Sequence, residues 1–312
     1  MKKIIYWIAG TCILLFACNG VVPLRKTPQP MSTPLPPTET ATRLPTLPPP
    51  STFTASPIPT ATWVHQGPYE VILPILLYHR IDTSPDNSRY YVTPERFEEE
   101  MKLLHDWGYT TITLDILSRA IIDGADLPPR PMIITFDDGH MNNYTTAFPI
   151  MQKYGFTGVL YVVGTYIGAD QYLNADQIKE MAVAGWEVGS HSMRHLDLLA
   201  LDRTEQKYEI FESREYLEEK LGIPIQSFAY PFGNSNVDIV DLVRAAGYTT
   251  GMSLGFTYDQ GTGNILSLQR RDIRGTYDLK QFALFLPWQG DPFFLPTDTP
   301  TPTPTPSRTP KP

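Results

Sequence analysis

"PMIITFDDGH", residues 131–140, decides how the rest of the chain reads. The apolar run Pro131-Met132-Ile133-Ile134 has the character of a buried strand, yet Thr135-Phe136 carries it into two adjacent carboxylates and a glycine. Successive side chains of a strand point to opposite faces, so Asp137 and Asp138 cannot both extend one apolar surface. At least one of them is held for chemistry or for a turn.

Short apolar runs of this kind alternate with helical patterns on both sides. "VILPILLYH" (71–79) reads as a strand with Pro74 marking an irregular start. Thr93-Pro94 supplies an N-cap and a first-turn proline, and Phe97, Met101 and Leu104 then share a face until Trp107-Gly108 ends the helix. Further strands are expected at "YTTITL", "TGVLYVV", "WEVGSH", "SFAYPFG", "YTTGMS" and "ILSLQR". Helices are expected near 114–122, 144–154, 175–184, from the capping pair Asp202 and Glu205 to Leu221, at "VDIVDLVRAAG", and near 279–286. Repeated strand-then-helix order predicts an α/β fold with a mainly parallel sheet, most simply closed as a (β/α) barrel. Reactive groups in such barrels gather where the strands end, which makes His79, Asp137, Asp138, His191, Tyr230 and Arg270 prospective neighbours.

The ends of the chain differ in kind. Lys2 and Lys3 precede an apolar stretch, residues 4–16, that is short for a bilayer span and reads as an export signal, residues 1–17. Leu15-Phe16-Ala17-Cys18 resembles a bacterial lipobox with Cys18 as the lipidated residue, placing the protein on the extracytoplasmic side of a membrane. Cys12, the other cysteine, falls within the signal, so the fold is expected to use no disulfide. Residues 18–68 are Pro-, Thr- and Ser-rich and read as an extended spacer, and residues 291–312 repeat that composition. One folded domain, 69–290, remains. The formal charge of −8 disfavours nucleic acid as a partner and suits a neutral or cationic polymer better than an anionic one. No protein partner is indicated.

"GSHSMRH" (189–195) places His191 and His195 four residues apart at a strand end. A helical turn after Ser190 would set both on one side. With a carboxylate they would give an ion three protein ligands and leave one position for water, the arrangement of a catalytic zinc. Thr135-Phe136-Asp137-Asp138 followed by His191-Ser192-x-x-His195 resembles the polysaccharide deacetylases of the NodB-homology type, carbohydrate esterase family 4. The resemblance implies a distorted (β/α) barrel, Asp137 as general base, and Asp138, His191 and His195 as ligands of a divalent ion, zinc first, with cobalt or nickel as alternatives.

Two departures from the family pattern stand out. The third motif, R-x-P-[YF], is here Ala229-Tyr230-Pro231-Phe232, without its arginine. The pattern implies that Tyr230 and Phe232 lie on the substrate, with a backbone N–H near Phe232 on the oxyanion. Arg270, with Arg271 close behind, is the candidate to replace the lost arginine, the alternative being a surface arginine paired with Asp272. No histidine follows His195, so the late L-x-H motif cannot exist. Leu76-Leu77-Tyr78-His79 and "FAYPFG" resemble the poly-β-1,6-N-acetylglucosamine deacetylase branch, and His79 is taken as the general acid. His140 is a candidate for the cleft lining. Tyr90, Tyr91, Trp186 and Trp288 serve either core and rim packing or stacking on sugar rings. The leading expectation is a lipid-anchored N-deacetylase of an extracellular or cell-wall polysaccharide. An O-acetyl esterase of the xylan type and an inactive glycan-binding lipoprotein are the alternatives.

Overall fold

Seven parallel strands close into a ring: β1 (Ile75–Tyr78), β2 (Pro131–Phe136), β3 (Val159–Val162), β4 (Glu187–Ser190), β5 (Ser227–Ala229), β6 (Thr250–Leu254) and β7 (Leu268–Asp272). Each pairs with the next, and β7 pairs with β1 through Arg271 opposite Leu76, which completes the expected distorted (β/α) barrel. The structure, a computed structural model, describes residues 63–290. The export signal, Cys18, most of the spacer and the segment 291–312 lie outside the described residues. Among the described residues no helix is long and apolar enough to cross a membrane.

All six residues of β2 are buried. That is why it reads as a continuous apolar run and not as an alternation: helices cover its outside while the barrel interior takes its inside. Met132, Ile134 and Phe136 pack outward with Phe97, Met101 and Met151. Ile133 packs inward with Ile75, Tyr161, Ala229, Met252 and Leu268. Leu114, Leu117 and Ile121, on one face of the helix Leu114–Asp123, join the inner cluster beside Leu73, ahead of the strand starts. The interior is narrow at Gly189, where a β-carbon would come within 2.3 Å of the Tyr161 ring and 2.5 Å of Ser227 Oγ.

Several local expectations change. The run 71–79 is two strands, because Pro74 has no N–H to give a ladder: Glu70–Ile72 pairs antiparallel with Asp259–Gly261, and only Ile75–Tyr78 enters the barrel. "YTTITL" yields only Thr110–Thr111, since the Thr113 side chain accepts from Ile116 N and starts a helix. Ordered pairing begins inside the stretch assigned to the spacer, where Val64–Gln66 runs antiparallel to Ala125–Leu127. That partner lies far along the chain, so local composition carries no sign of it. The helix capped by Asp202 is interrupted by a π-helical segment, Tyr208–Glu212, between Arg203–Lys207 and Ser213–Leu221.

Candidate active site

The alternation of β2 settles what the two carboxylates do. Ile133 faces inward, and Thr135 and Asp137 meet Arg270 of β7 on that same side. Arg270 Nη1 donates to Asp137 Oδ1 at 2.6 Å and Nη2 donates to Oδ2 at 2.8 Å. The two side chains are 1% and 3% exposed, so this is a buried, bidentate pair. Arg270 Nε is held by Ser253 O at 3.3 Å. Burial alone would push the Asp137 carboxyl up; the Arg270 charge and hydrogen bonds outweigh it and hold the group below its usual value. Asp272, the alternative partner, pairs with Arg274 instead, at 2.8 Å.

Asp138 leaves the strand by a left-handed turn, φ 71°, followed by Gly139 at 75°. Its Oδ1 lies 3.7 Å from His191 Nε2 and 3.4 Å from His195 Nε2. One donor atom from each of the three residues falls within 4.8 Å of the others. His191 Nδ1 sits 2.8 Å from Ala229 O, so it carries the proton and donates, which leaves Nε2 with a lone pair facing the cluster. A carboxylate and two imidazoles so arranged fit a zinc-type ion with an open position. His140 Nε2 is 3.1 Å from Asp138 Oδ2 and orients that carboxylate. Burial presses the Asp138 carboxyl up, and the His140 bond followed by the His191 charge overcomes it, holding the group far below its usual value.

The expected helical turn after Ser190 does not form. Ser192 and His195 have φ of 65° and 60°, left-handed conformations that bring the two imidazoles together by a different path. Ser190 Oγ accepts from Ser192 N, and Ser192 Oγ accepts from His195 N at 2.9 Å. Between them, Arg194 N and Nε donate to Glu209 at 2.8 and 2.6 Å. Glu209 is fully buried and comes from the π-helical segment, a placement often tied to function. Sequence reasoning missed it because nothing local distinguishes this glutamate from those on the exposed helix faces. Asp138, Ser192, His195 and Phe232 all hold positive φ without being glycine, a concentration of backbone strain at one place.

His79, at the end of β1, lines the same cleft, with its ring centroid 4.7 Å from that of Tyr90. Its carbonyl accepts from Asn143 Nδ2 at 2.8 Å, and its Nδ1 is buried with no hydrogen-bond partner among the described residues. Phe232, 55% exposed, stands at the rim with its ring 4.8 Å from that of His195. Tyr230 does not reach the cleft, contrary to expectation. Ala229 faces the barrel interior, so the next side chain turns outward, where Tyr230 is fully buried and donates to Leu266 O at 2.7 Å. Trp186 packs on Phe136 in the core and Trp288 N donates to Tyr109 Oη, whereas Tyr90, Tyr91, His140, Tyr166 and Tyr172 line the cleft. Its volume, about 310 Å³, is that of a small ligand pocket.

Residues 124–251 match the polysaccharide deacetylase family model, a span that holds Asp137, Asp138, His191 and His195 but neither His79 nor Arg270. The chain is 34% identical over 181 residues to the Bacillus subtilis (strain 168) protein called "Putative polysaccharide deacetylase YxkH", covering 58% of this chain and 64% of that one. It is 26% identical over 188 residues to the poly-beta-1,6-N-acetyl-D-glucosamine N-deacetylase of Staphylococcus aureus (strain MRSA252), covering 55% and 64%. It thus spans 64% of the length of each of these curated relatives. Among solved structures, Streptococcus pyogenes deacetylase PplD in complex with acetate superposes with a TM-score of 0.63 at 26% identity, over 69% of this chain and 98% of that one. Fold, motif order and these matches agree: residues 124–251 of the chain are similar to the polysaccharide deacetylase family.

Proposed function

We propose that this protein is a metal-dependent hydrolase that removes N-acetyl groups from an extracellular N-acetylglucosamine polysaccharide. The observation that carries the reading is the convergence of the Asp138, His191 and His195 donors beside the buried, Arg270-bound Asp137. The name of the Staphylococcus aureus relative supports the choice of polymer and of amide over ester.

Asp138, His191 and His195 would hold the ion, which when bound supplies Lewis acidity and a water of lowered pKa. Asp137 takes the proton from the attacking water. Arg270 keeps that carboxylate ionised and fixes its plane, the task the family pattern gives to the missing arginine. Attack on the acetamide carbon makes a tetrahedral oxyanion. The left-handed turn at Phe232 sets a segment of backbone at the cleft, and one N–H donor there would contribute roughly 3 kcal/mol to the transition state. His79 then protonates the departing amine as the carbon–nitrogen bond breaks, giving acetate and a glucosamine unit. Cys18 would carry the lipid that tethers the domain outside the cell, with residues 1–17 as the cleaved signal.

Acetate release from an N-acetylglucosamine oligomer, measured with zinc supplied and then chelated, tests the reading, with acetylated xylan run beside it. Zinc-dependent release from the oligomer is expected. Release from xylan alone would move the activity to esters, and no release from either would leave a glycan-binding protein. Incorporation of a labelled fatty acid by the intact chain, lost in Cys18→Ala, is the separate test of the anchor.

A further inference from the structure

One wall of the cleft is built by His79 and Arg80, at the end of β1, together with Ser88, Arg89, Tyr90 and Tyr91. The chain loops round here so that Arg80–Ile81 pairs in parallel with Tyr91–Val92, just after Arg89. Arg80 Cζ lies 5.3 Å from the Tyr91 ring centroid, and Arg89 Cζ lies 4.8 Å from that of Tyr90. Arg89 Nη2 also donates to Tyr90 Oη at 2.7 Å.

Neither guanidinium forms an ion pair among the described residues, although most other described arginines do. The carboxylates of the cleft are already committed: Asp137 to Arg270, Asp272 to Arg274, and Asp138 to the histidine cluster. Two positive charges therefore stand unneutralised on the wall of the cleft, in a chain whose formal charge is −8. Stacking on an aromatic ring occupies a face of a guanidinium and leaves N–H groups at its edge, the geometry that meets a carboxylate or a phosphate in two parallel bonds. The field that a bound polymer meets is that of the cleft and not of the chain as a whole, so the overall charge does not decide this point.

We propose that Arg80 and Arg89 form an anion-recognition subsite, and that the glycan taken by this cleft carries a carboxylate or phosphate near the N-acetyl group to be removed. The inference rests on the deacetylase reading and narrows its substrate class. Tyr90 and Tyr91, each beneath one of the two guanidiniums, hold those charges at the cleft wall.

The test uses the zinc-loaded full chain and three oligomers of equal length: neutral N-acetylglucosamine, the same sugar alternating with a uronic acid, and the same sugar phosphorylated on its primary hydroxyl. At least one anionic oligomer should be turned over with kcat/KM about tenfold above the neutral one, a preference that shrinks as salt rises. The two anionic arms distinguish carboxylate from phosphate. Arg80→Gln and Arg89→Gln should each reduce kcat/KM on the preferred anionic oligomer several-fold more than on the neutral one. Equal or better turnover of the neutral oligomer overturns the subsite. Equilibrium binding of the same three oligomers by calorimetry decides the matter independently of turnover. If no acetate appears in any arm, the deacetylase reading fails, while tighter binding of an anionic oligomer still supports the subsite and equal binding rejects it.

Discussion

Arg270→Met removes one half of a charge pair that water cannot reach. A solvent-exposed pair would cost about 1 kcal/mol or less to break. Here both side chains are almost fully buried and joined by two short bonds, so the remaining Asp137 is left charged and without a partner. The expected loss is about 3–5 kcal/mol, or roughly 6–20 °C in melting temperature for a domain of this size. The pH dependence should weaken. In the native protein the Asp137 value is depressed, so its contribution to stability is complete above the unfolded carboxylate value and is lost as pH falls through the folded one. In the variant the Arg270 contribution is gone and burial is opposed only by the His191 and His79 charges, so the value rises and the stability that the pair supplied above the unfolded carboxylate value is lost. The deficit measured by thermal or urea unfolding should therefore be smaller near pH 4 than near pH 7. Asp137→Leu combined with Arg270→Met should recover most of the loss, because no unpaired charge remains. A single-variant deficit below about 1 kcal/mol at pH 7, or a double variant as unstable as the two losses added, would refute the reasoning.

Asp138→Ala and His195→Ala should each abolish tight zinc binding in calorimetry, whereas Asp137→Asn should keep the ion and lose turnover by at least about a hundredfold; equal loss of zinc in all three would show the roles to be misassigned. Glu209→Ala should weaken zinc binding about 10–100-fold by freeing the Arg194 backbone between the two imidazoles, with Glu209→Gln restoring part of it; unchanged affinity in both would leave Glu209 with packing alone. Burial raises Glu100 to about 8, with Tyr78 Oη donating to it at 2.9 Å, so folding favours its protonated form and stability should fall as pH rises from about 4.5 to about 8. Glu100→Gln should remove that fall, gaining on the native protein by at most about 1.4 kcal/mol per pH unit across the window; parallel stability curves would show that Glu100 does not titrate there.

The sequence by itself determined the barrel and set Asp137, Asp138, His191 and His195 at the ends of its strands. Strand order follows from apolar runs alternating with capped helices, and these are local properties: Thr93-Pro94 starts a helix because Phe97, Met101 and Leu104 follow it at helical spacing, and the continuous run before Asp137 demands a strand covered on both faces. The tertiary structure decided how those residues meet. The partnership of Asp137 with Arg270 spans 133 residues of chain and depends on ring closure between β7 and β1 and between β1 and β2, which no local pattern encodes. Tyr230 was misplaced because the facing of a residue just past a strand depends on the register of that strand, and a shift of one position exchanges cleft for core. Glu209 and the left-handed backbone at Ser192 and His195 were invisible for a related reason: strained conformations persist only where distant contacts hold them, and those contacts exist only after the chain has folded.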